Sequence, residues 1–332
     1  MGDPAGIGPQ IIAKVISKRD LPQKANFTIY GANEILTIAA DNCNISPTWF
    51  RVDGSSNRAK ETLRSAVVVL DDTEDGVHAL RHAPSSLGGL VSKRWVEQAI
   101  KDALLPQDHP RHIDAVVTAP ICKQSWSMAG YNWNGHTELF ASRTKAKRSA
   151  MMFVSDKLRV VLATCHLPLM DIRNVLTIGK VYDAIDLANE GCNLLGIKRP
   201  RIGVTGLNPH AGEDGLLGDE EQRLIEPAIK LAQNNGLNVQ GPFPADTVFT
   251  KTDLFDVIVA MYHDQGLVPI KLLSFGTAVN WTLGLPIIRT SPDHGTAFDI
   301  ADTQEADPSS LLHAIELACS LTSTKALLKS TL

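Results

Sequence analysis

The sequence has no run of lysine and arginine long enough to follow a nucleic-acid backbone. Its most basic stretch, Lys145 to Arg148, is short. The formal net charge is −4, so no nucleic-acid partner is expected and any phosphate it binds should be small and held locally. No apolar run approaches the ~20 residues needed to span a bilayer, so no membrane span is expected. The start lacks the basic-then-apolar pattern of a signal peptide. Cysteine is sparse: five residues, Cys43, Cys122, Cys165, Cys192 and Cys319, an odd number with no C-x-x-C pair, which points to a reducing cytoplasm. There is no internal repeat and no low-complexity segment. The absence of H-E-x-x-H, of a P-loop Gly-Lys-Ser/Thr and of G-x-G-x-x-G leaves no helix-borne protease site, Walker loop or Rossmann fingerprint. The glycine-rich opening, GDPAGIGPQ, predicts only a loop leading into a helix with Pro9 near its first turn.

What is present is an ordinary soluble composition, 332 residues with 44% hydrophobic and 20% charged, a length that suggests about two domains. Short apolar runs read as strands: NFTIYGA from Asn26, SAVVVLD from Ser65, IDAVVTAP from Ile113, SAMMFVSD from Ser149, LRVVLATC from Leu158, RIGVTGL from Arg201 and DVIVAMY from Asp256. Several are apolar on both faces, as in parallel sheets covered by helices. Helical patterns lie between them, notably VSKRWVEQAIKDALL from Val91 and EEQRLIEPAIKLAQNN from Glu220, the latter with Asp219 as a candidate cap. The alternation is that of an α/β protein. The polar, irregular stretch from Asn42 to Arg58 is expected to be a surface loop.

Ligands of open α/β sheets collect beyond the carboxyl ends of strands. His166 follows LRVVLATC, His210 lies in NPHAGEDGLLGDEE after RIGVTGL, and His263 follows DVIVAMY. Three imidazoles on adjacent loops would make a metal site with room for substrate; taken singly, each suits a capping or core role as well. His136 and Thr137, in NGHTELF, stand at an expected helix start with Thr137 or Asn134 as cap, where anions are held well. TSPDHGTAFDIA is expected to turn at Ser-Pro-Asp and then run through Gly-Thr into a helix at Phe298. Lys271, Asn280 and Arg289 add two cations and an amide; a lysine and an arginine near a helix N-terminus would suit a phosphomonoester. Ordinary capping and solvated charge account for these residues equally well one at a time.

Together GDPAGIGP, TAPICK, GHTELF, LATCHLPL, GLNPHAGEDG, GPFPADTVF, MYHDQGLVPIK and VNWTLGLPIIRTSPDHGTAFDIA resemble the 4-hydroxythreonine-4-phosphate dehydrogenase family of pyridoxine biosynthesis, in the family's order and over almost the whole chain. The resemblance implies the fold of isocitrate and isopropylmalate dehydrogenases: two α/β/α domains, with a cleft completed by the second subunit of a homodimer. The first domain would hold residues 1–120 and 268–332, the second residues 121–267. His166, His210 and His263 match the family's divalent-metal ligands. His136, Thr137, Lys271, Asn280 and Arg289 match its substrate-binding positions, and Asp293, Gly295 and Thr296 occupy the place of the dinucleotide loop. Family members usually carry a short strand ahead of GDPAGIGP. Here the chain begins at the preceding Met, so the resemblance implies a start upstream of Met1, since an empty position in a parallel sheet leaves ladder groups uncovered.

The implied reaction is oxidation of 4-phosphooxy-L-threonine at C3 by NAD or NADP, followed by loss of CO₂ to give 3-amino-2-oxopropyl phosphate. Zinc suits three imidazoles, while magnesium, manganese or cobalt could serve with added oxygen ligands. Asp264 is a candidate for orienting a histidine or joining the metal. Lys123 is the candidate proton-transfer group if burial or a nearby metal tunes it. Phosphothreonate or phosphoerythronate are alternative substrates, and a metal-dependent phosphohydrolase is the alternative from another enzyme class.

Overall fold

Strand runs too short to cross over alone need helices between them, and the chain supplies these. The computed structural model describes residues 1–18, 21–60, 66–72 and 75–330. Two compact units are formed, one of residues 1–145 with 286–322 and one of residues 146–285 with 323–332. The expected boundaries at residues 121 and 268 fall inside these units: the segment 121–145 goes with the first and 268–285 with the second.

In the first unit β1 (Phe27–Gly31), β2 (Phe50–Asp53) and β3 (Val67–Asp71) form a parallel sheet in the order β1-β3-β2. The central β3 is buried at every position, as a strand covered on both faces must be; Ser65, where the run was expected to begin, lies outside the described residues. The stretch from Asn42 to Arg58, expected as a loop, contains β2. Only Val52 of β2 is buried, because an edge strand needs just one inward residue, and that leaves no periodic signal. β4 (Ala115–Val117) pairs in parallel with the late strand Ile288–Pro292, β11. Ile11 and Val15, from the helix Gly8–Ile16 with Pro9 in its first turn, pack with Leu311 and Ile315.

In the second unit the strands are β5 (Ala150–Val154), β6 (Arg159–Leu162), β7 (Ile202–Thr205), β8 (Val239–Phe243), β9 (Val257–Ala260) and β10 (Val279–Leu283), in the order β10-β5-β6-β9-β7-β8. β6, β9, β7 and β8 are parallel, while β5 runs antiparallel to both β6 and β10. The reversal follows from the link: only Ser155 to Leu158 joins β5 to β6, closed by Ser155 N–H donating to the Leu158 carbonyl at 3.1 Å, and so short a link permits a hairpin but not a crossover. Met151, Phe153, Val160, Leu162, Ile258 and Leu267 form its core. The fold is mixed α/β. Among the described residues no helix is long and apolar enough to cross a membrane.

Three local expectations are corrected. The helix expected at Phe298 is a single 3₁₀ turn, Phe298–Ile300. The helix expected from Glu220 is present, with a wide π turn, Glu221–Ile225, as its first winding, but Asp219 pairs with Arg223 at 2.8 Å instead of capping it. Neither Asn134 nor Thr137 caps the helix His136–Thr144; its N-cap position is Gly135, without a side-chain cap.

Candidate active site

In the second unit, His166, His210 and His263 follow β6, β7 and β9, which are neighbours in one parallel sheet in the order β6-β9-β7. All three therefore leave the same, carboxyl, edge. The edge is laced together: the Ala163 N–H donates to the Ala260 carbonyl at 2.8 Å, and the Thr164 hydroxyl to the Met261 carbonyl at 2.7 Å. The rings of His166 and His263 stand 5.6 Å apart between centroids. His210 does not join them within the chain, and among the described residues no three metal-binding side chains are assembled. Two second partners fit a metal-binding role. Nδ1 of His263 lies 2.7 Å from Asp264 Oδ1, and Nδ1 of His210 lies 3.2 Å from Glu213 Oε2. A carboxylate at Nδ1 leaves Nε2 for a metal, so these two rings have the chemistry of divalent-ion ligands, while the full set of three is not assembled within the described residues.

Lys271 sits in the last turn of the helix His263–Ser274, exposed. Eight residues separate it from His263 at the start of that helix, roughly 12 Å along the axis. Asn280 lies in β10, half-buried, with its Oδ1 sealed from solvent and without a hydrogen-bond partner.

In the first unit Arg289 is the second residue of β11 and is only 2% exposed. Its Nη2 donates to Thr118 Oγ1 at 2.7 Å, just past β4, and its guanidinium lies 5.6 Å from the Phe140 ring centroid. Burial pushes its pKa down to about 10, with Glu138 acting in the opposite sense. His136, at the first position of its helix, packs edge-on against Trp126 at 5.6 Å. Its Nε2 is sealed and has no partner. Burial, and secondarily the charge of Arg289, hold its pKa well below the ordinary histidine value. Thr137 follows it on the first turn. A buried guanidinium beside a neutral imidazole at a helix N-terminus is an anion cradle by its chemistry. Lys123 opens the short helix Lys123–Met128 and is exposed. Around the SPDHGT loop, Asp293 N–H is held by Ser310 Oγ at 3.2 Å, and the Thr296 carbonyl accepts from Ile7 N–H at 2.9 Å. A Cβ on Gly6 would fall 2.7 Å from that carbonyl, whereas one on Gly295 would meet nothing within 4 Å. The opening glycine loop is thus packed on the candidate cofactor loop, leaving Gly295 open.

The family model of pyridoxal phosphate biosynthetic protein PdxA matches residues 23–318. The chain belongs to the PdxA family. It is similar to the 4-hydroxythreonine-4-phosphate dehydrogenase of Beijerinckia indica, 44% identical over 330 residues covering 97% of this chain and 93% of that protein. It is also similar to the D-threonate 4-phosphate dehydrogenase of Salmonella typhimurium, 40% identical over 325 residues covering 97% of each. Among solved structures, the 4-hydroxythreonine-4-phosphate dehydrogenase from Klebsiella pneumoniae superposes with a TM-score of 0.83 at 38% identity, over 97% of this chain and 96% of that one. Like these PdxA relatives, the chain is a dehydrogenase, an oxidoreductase of pyridoxal phosphate biosynthesis.

Two residues that pattern reading passed over tie this PdxA-family site together. Gln265 is 9% exposed. Its Oε1 accepts from the Thr205 hydroxyl at 2.7 Å and the Met261 N–H at 2.6 Å, and its Nε2 donates to the Gly206 carbonyl at 2.7 Å. It thereby joins the ends of β7 and β9, whose loops carry His210 and His263. Glu221 is 2% exposed and binds the chain just before His210. The one sequence signal for Gln265 was its place two residues after His263. Glu221 gave none, because an acidic residue at a helix start reads as capping.

Proposed function

We propose that the chain oxidises the C3 hydroxyl of 4-phosphooxy-L-threonine with NAD or NADP, giving 2-amino-3-oxo-4-phosphooxybutanoate. This β-keto acid then loses CO₂ to leave 3-amino-2-oxopropyl phosphate. The observation that carries the reading is the departure of His166, His210 and His263 from one edge of three neighbouring parallel strands, in a chain whose relatives are dehydrogenases of phosphorylated substrates by name. When bound, a divalent metal, zinc before magnesium, manganese or cobalt, supplies Lewis acidity toward the substrate hydroxyl, and NAD or NADP takes up the hydride.

The chain's own groups divide the remaining work. His166, His210 and His263 hold the metal as a set supplied across the interface of the homodimer, with Asp264 and Glu213 fixing two of the rings through Nδ1. Arg289, already oriented by Thr118, binds phosphate with a preset fork, and the start of the His136–Thr144 helix adds N–H donors. His136, kept neutral by burial, donates a ring N–H without adding charge. Thr137, Lys271 and Asn280 make further substrate contacts; the sealed Asn280 Oδ1 offers an acceptor. Lys123 moves the proton of the hydroxyl, and Asp293, Gly295 and Thr296 hold the cofactor.

The reading includes a cytoplasmic enzyme of the isocitrate and isopropylmalate dehydrogenase type, working as a homodimer that binds neither nucleic acid nor membrane. Val268, Leu272 and Phe275, spaced at i, i+4 and i+7 on and just past the helix that begins at His263, are 56%, 81% and 84% exposed. Such an apolar stripe suits burial against a second copy.

The test is NAD(P)H formation with 4-phosphooxy-L-threonine, before and after chelation and metal add-back. Reduction that disappears on chelation and returns with metal supports the reading. The similarity to the D-threonate 4-phosphate enzyme supports one rival, so D-threonate 4-phosphate is assayed in parallel, and faster reduction with it replaces the proposed substrate. Phosphate release without reduction points instead to a metal-dependent phosphohydrolase.

A further inference from the structure

The segment that carries His210 has a backbone that its sequence resists. His210, Ala211, Glu213 and Asp214 hold φ values of 55°, 55°, 43° and 55°, with Gly212 between them at 82°. In this left-handed region Cβ crowds the following carbonyl of an L residue. Runs of such residues persist only where their surroundings over-determine them.

Glu221 is the group that does so. Its Oε1 accepts from the backbone N–H groups of Leu207 and Asn208, each at 2.7 Å, and its Oε2 from Asn208 Nδ2 at 2.9 Å. Asn208 Nδ2 also donates to Glu220 Oε2 at 2.8 Å. The turn then closes on itself, Ala211 N–H to the Asn208 carbonyl at 3.1 Å and Leu217 N–H to the Gly212 carbonyl at 3.0 Å. Two glycines make room for the carboxylate. A Cβ on Gly206 would fall 3.0 Å from Oε1, and one on Gly212 would fall 2.7 Å from Oε2. Glu221 therefore anchors the entry of the loop at Leu207 and Asn208 and lies against its middle at Gly212. It also opens the π turn Glu221–Ile225, a wide winding that recurs at functional sites.

We infer that Glu221 is the positioning residue for His210: its carboxylate holds the left-handed turn in the one form that presents the imidazole as a ligand. This rests on the reading of His210 as a metal ligand. Glu221 touches neither metal nor substrate; it acts through the loop backbone.

The experiment compares wild type, Glu221→Gln and Asn208→Ala by zinc affinity against a chromophoric chelator and by hydrogen exchange of the metal-free proteins. Glutamine keeps the shape of Glu221 but places an N–H₂ where an acceptor is needed. The expected result is zinc affinity lowered about tenfold or more, with faster exchange at Leu207, Asn208 and the amides of residues 211–217, and unchanged exchange in β6 and β9. Asn208→Ala, which removes one of the three contacts of Glu221 together with the bond to Glu220, is expected to move both readouts the same way by less, and it decides the question if Glu221→Gln does not fold. Wild-type affinity with wild-type exchange overturns the inference, as does lowered affinity with an unmoved loop. A wild-type protein that takes up no zinc or other divalent metal defeats the ligand reading instead, and the exchange arm alone then decides whether Glu221 holds the turn.

Discussion

Replacing Gln265 with leucine changes little volume and removes every polar contact that Gln265 makes, so it isolates the worth of the clamp between β7 and β9. Three groups lose their partner: the Thr205 hydroxyl, the Met261 N–H and the Gly206 carbonyl, held at 2.7, 2.6 and 2.7 Å. Thr205 and Met261 are fully buried. The hydroxyl can rotate to a new acceptor, but the N–H and carbonyl are fixed in backbone at the strand ends. A buried backbone group left unpaired costs about 1–3 kcal/mol. Two such groups, with a smaller loss at the hydroxyl, set the expected destabilisation at about 3–5 kcal/mol. That is a large share of the roughly 5–15 kcal/mol by which a folded protein is stable. Urea denaturation of the metal-free protein measures it directly. Thr205→Val should then cost about 1 kcal/mol less in the Gln265→Leu background than alone, since its partner is already gone. A loss below about 1 kcal/mol, with additive double-mutant energies, would refute the clamp.

Arg289→Met is expected to raise KM for the phosphorylated substrate about 10–100-fold, the worth of one buried charge-assisted contact; steady-state kinetics at saturating cofactor checks it, and an unmoved KM removes Arg289 from phosphate binding. Because the folded pKa of His136 is depressed by burial, the unfolded chain takes up a proton below about pH 6.5 that the folded chain refuses. The contribution of His136 is therefore fully present above that pH and declines as pH falls toward the lowered folded value. Urea midpoints of His136→Phe should fall less steeply than wild type between pH 6.5 and 5, and equal slopes would contradict the burial argument. Phe275→Glu should turn a sedimenting dimer into monomer, since a charge in the middle of an apolar contact is left unpaired; an unchanged sedimentation coefficient places the subunit contact elsewhere.

Legibility followed burial. β3, buried throughout, and β9, apolar from Val257 to Ala260, were readable because a strand covered on both faces has no polar positions. β2 was missed because only Val52 points inward. β10 interrupts its apolar residues with Asn280 and Thr282, and β11 with Arg289, Thr290 and Ser291, so both were passed over as strands. These are the strands that carry the proposed substrate contacts Asn280 and Arg289, and on that reading the polar residues that would serve a ligand are the ones that spoil the apolar pattern. The three strand-end histidines stood out for the opposite reason: a polar group directly after an apolar run contrasts with what precedes it.

By itself the amino-acid sequence determined the alternation of strands and helices, the seating of His166, His210 and His263 after apolar strands, and, through motifs spread over nearly its whole length, the family. Each of these is set by residues close together in the chain, where periodicity and spacing act. Only the tertiary structure decided which strand ends are neighbours. β6, β9 and β7 lie side by side although almost a hundred residues separate Arg159 from Val257. Only the folded chain brings Thr118 to Arg289, wraps the His210 turn around Glu221, and gives His136 a sealed ring nitrogen. Those contacts arise from sheet order and side-chain enclosure, and neither is carried by any local stretch of sequence.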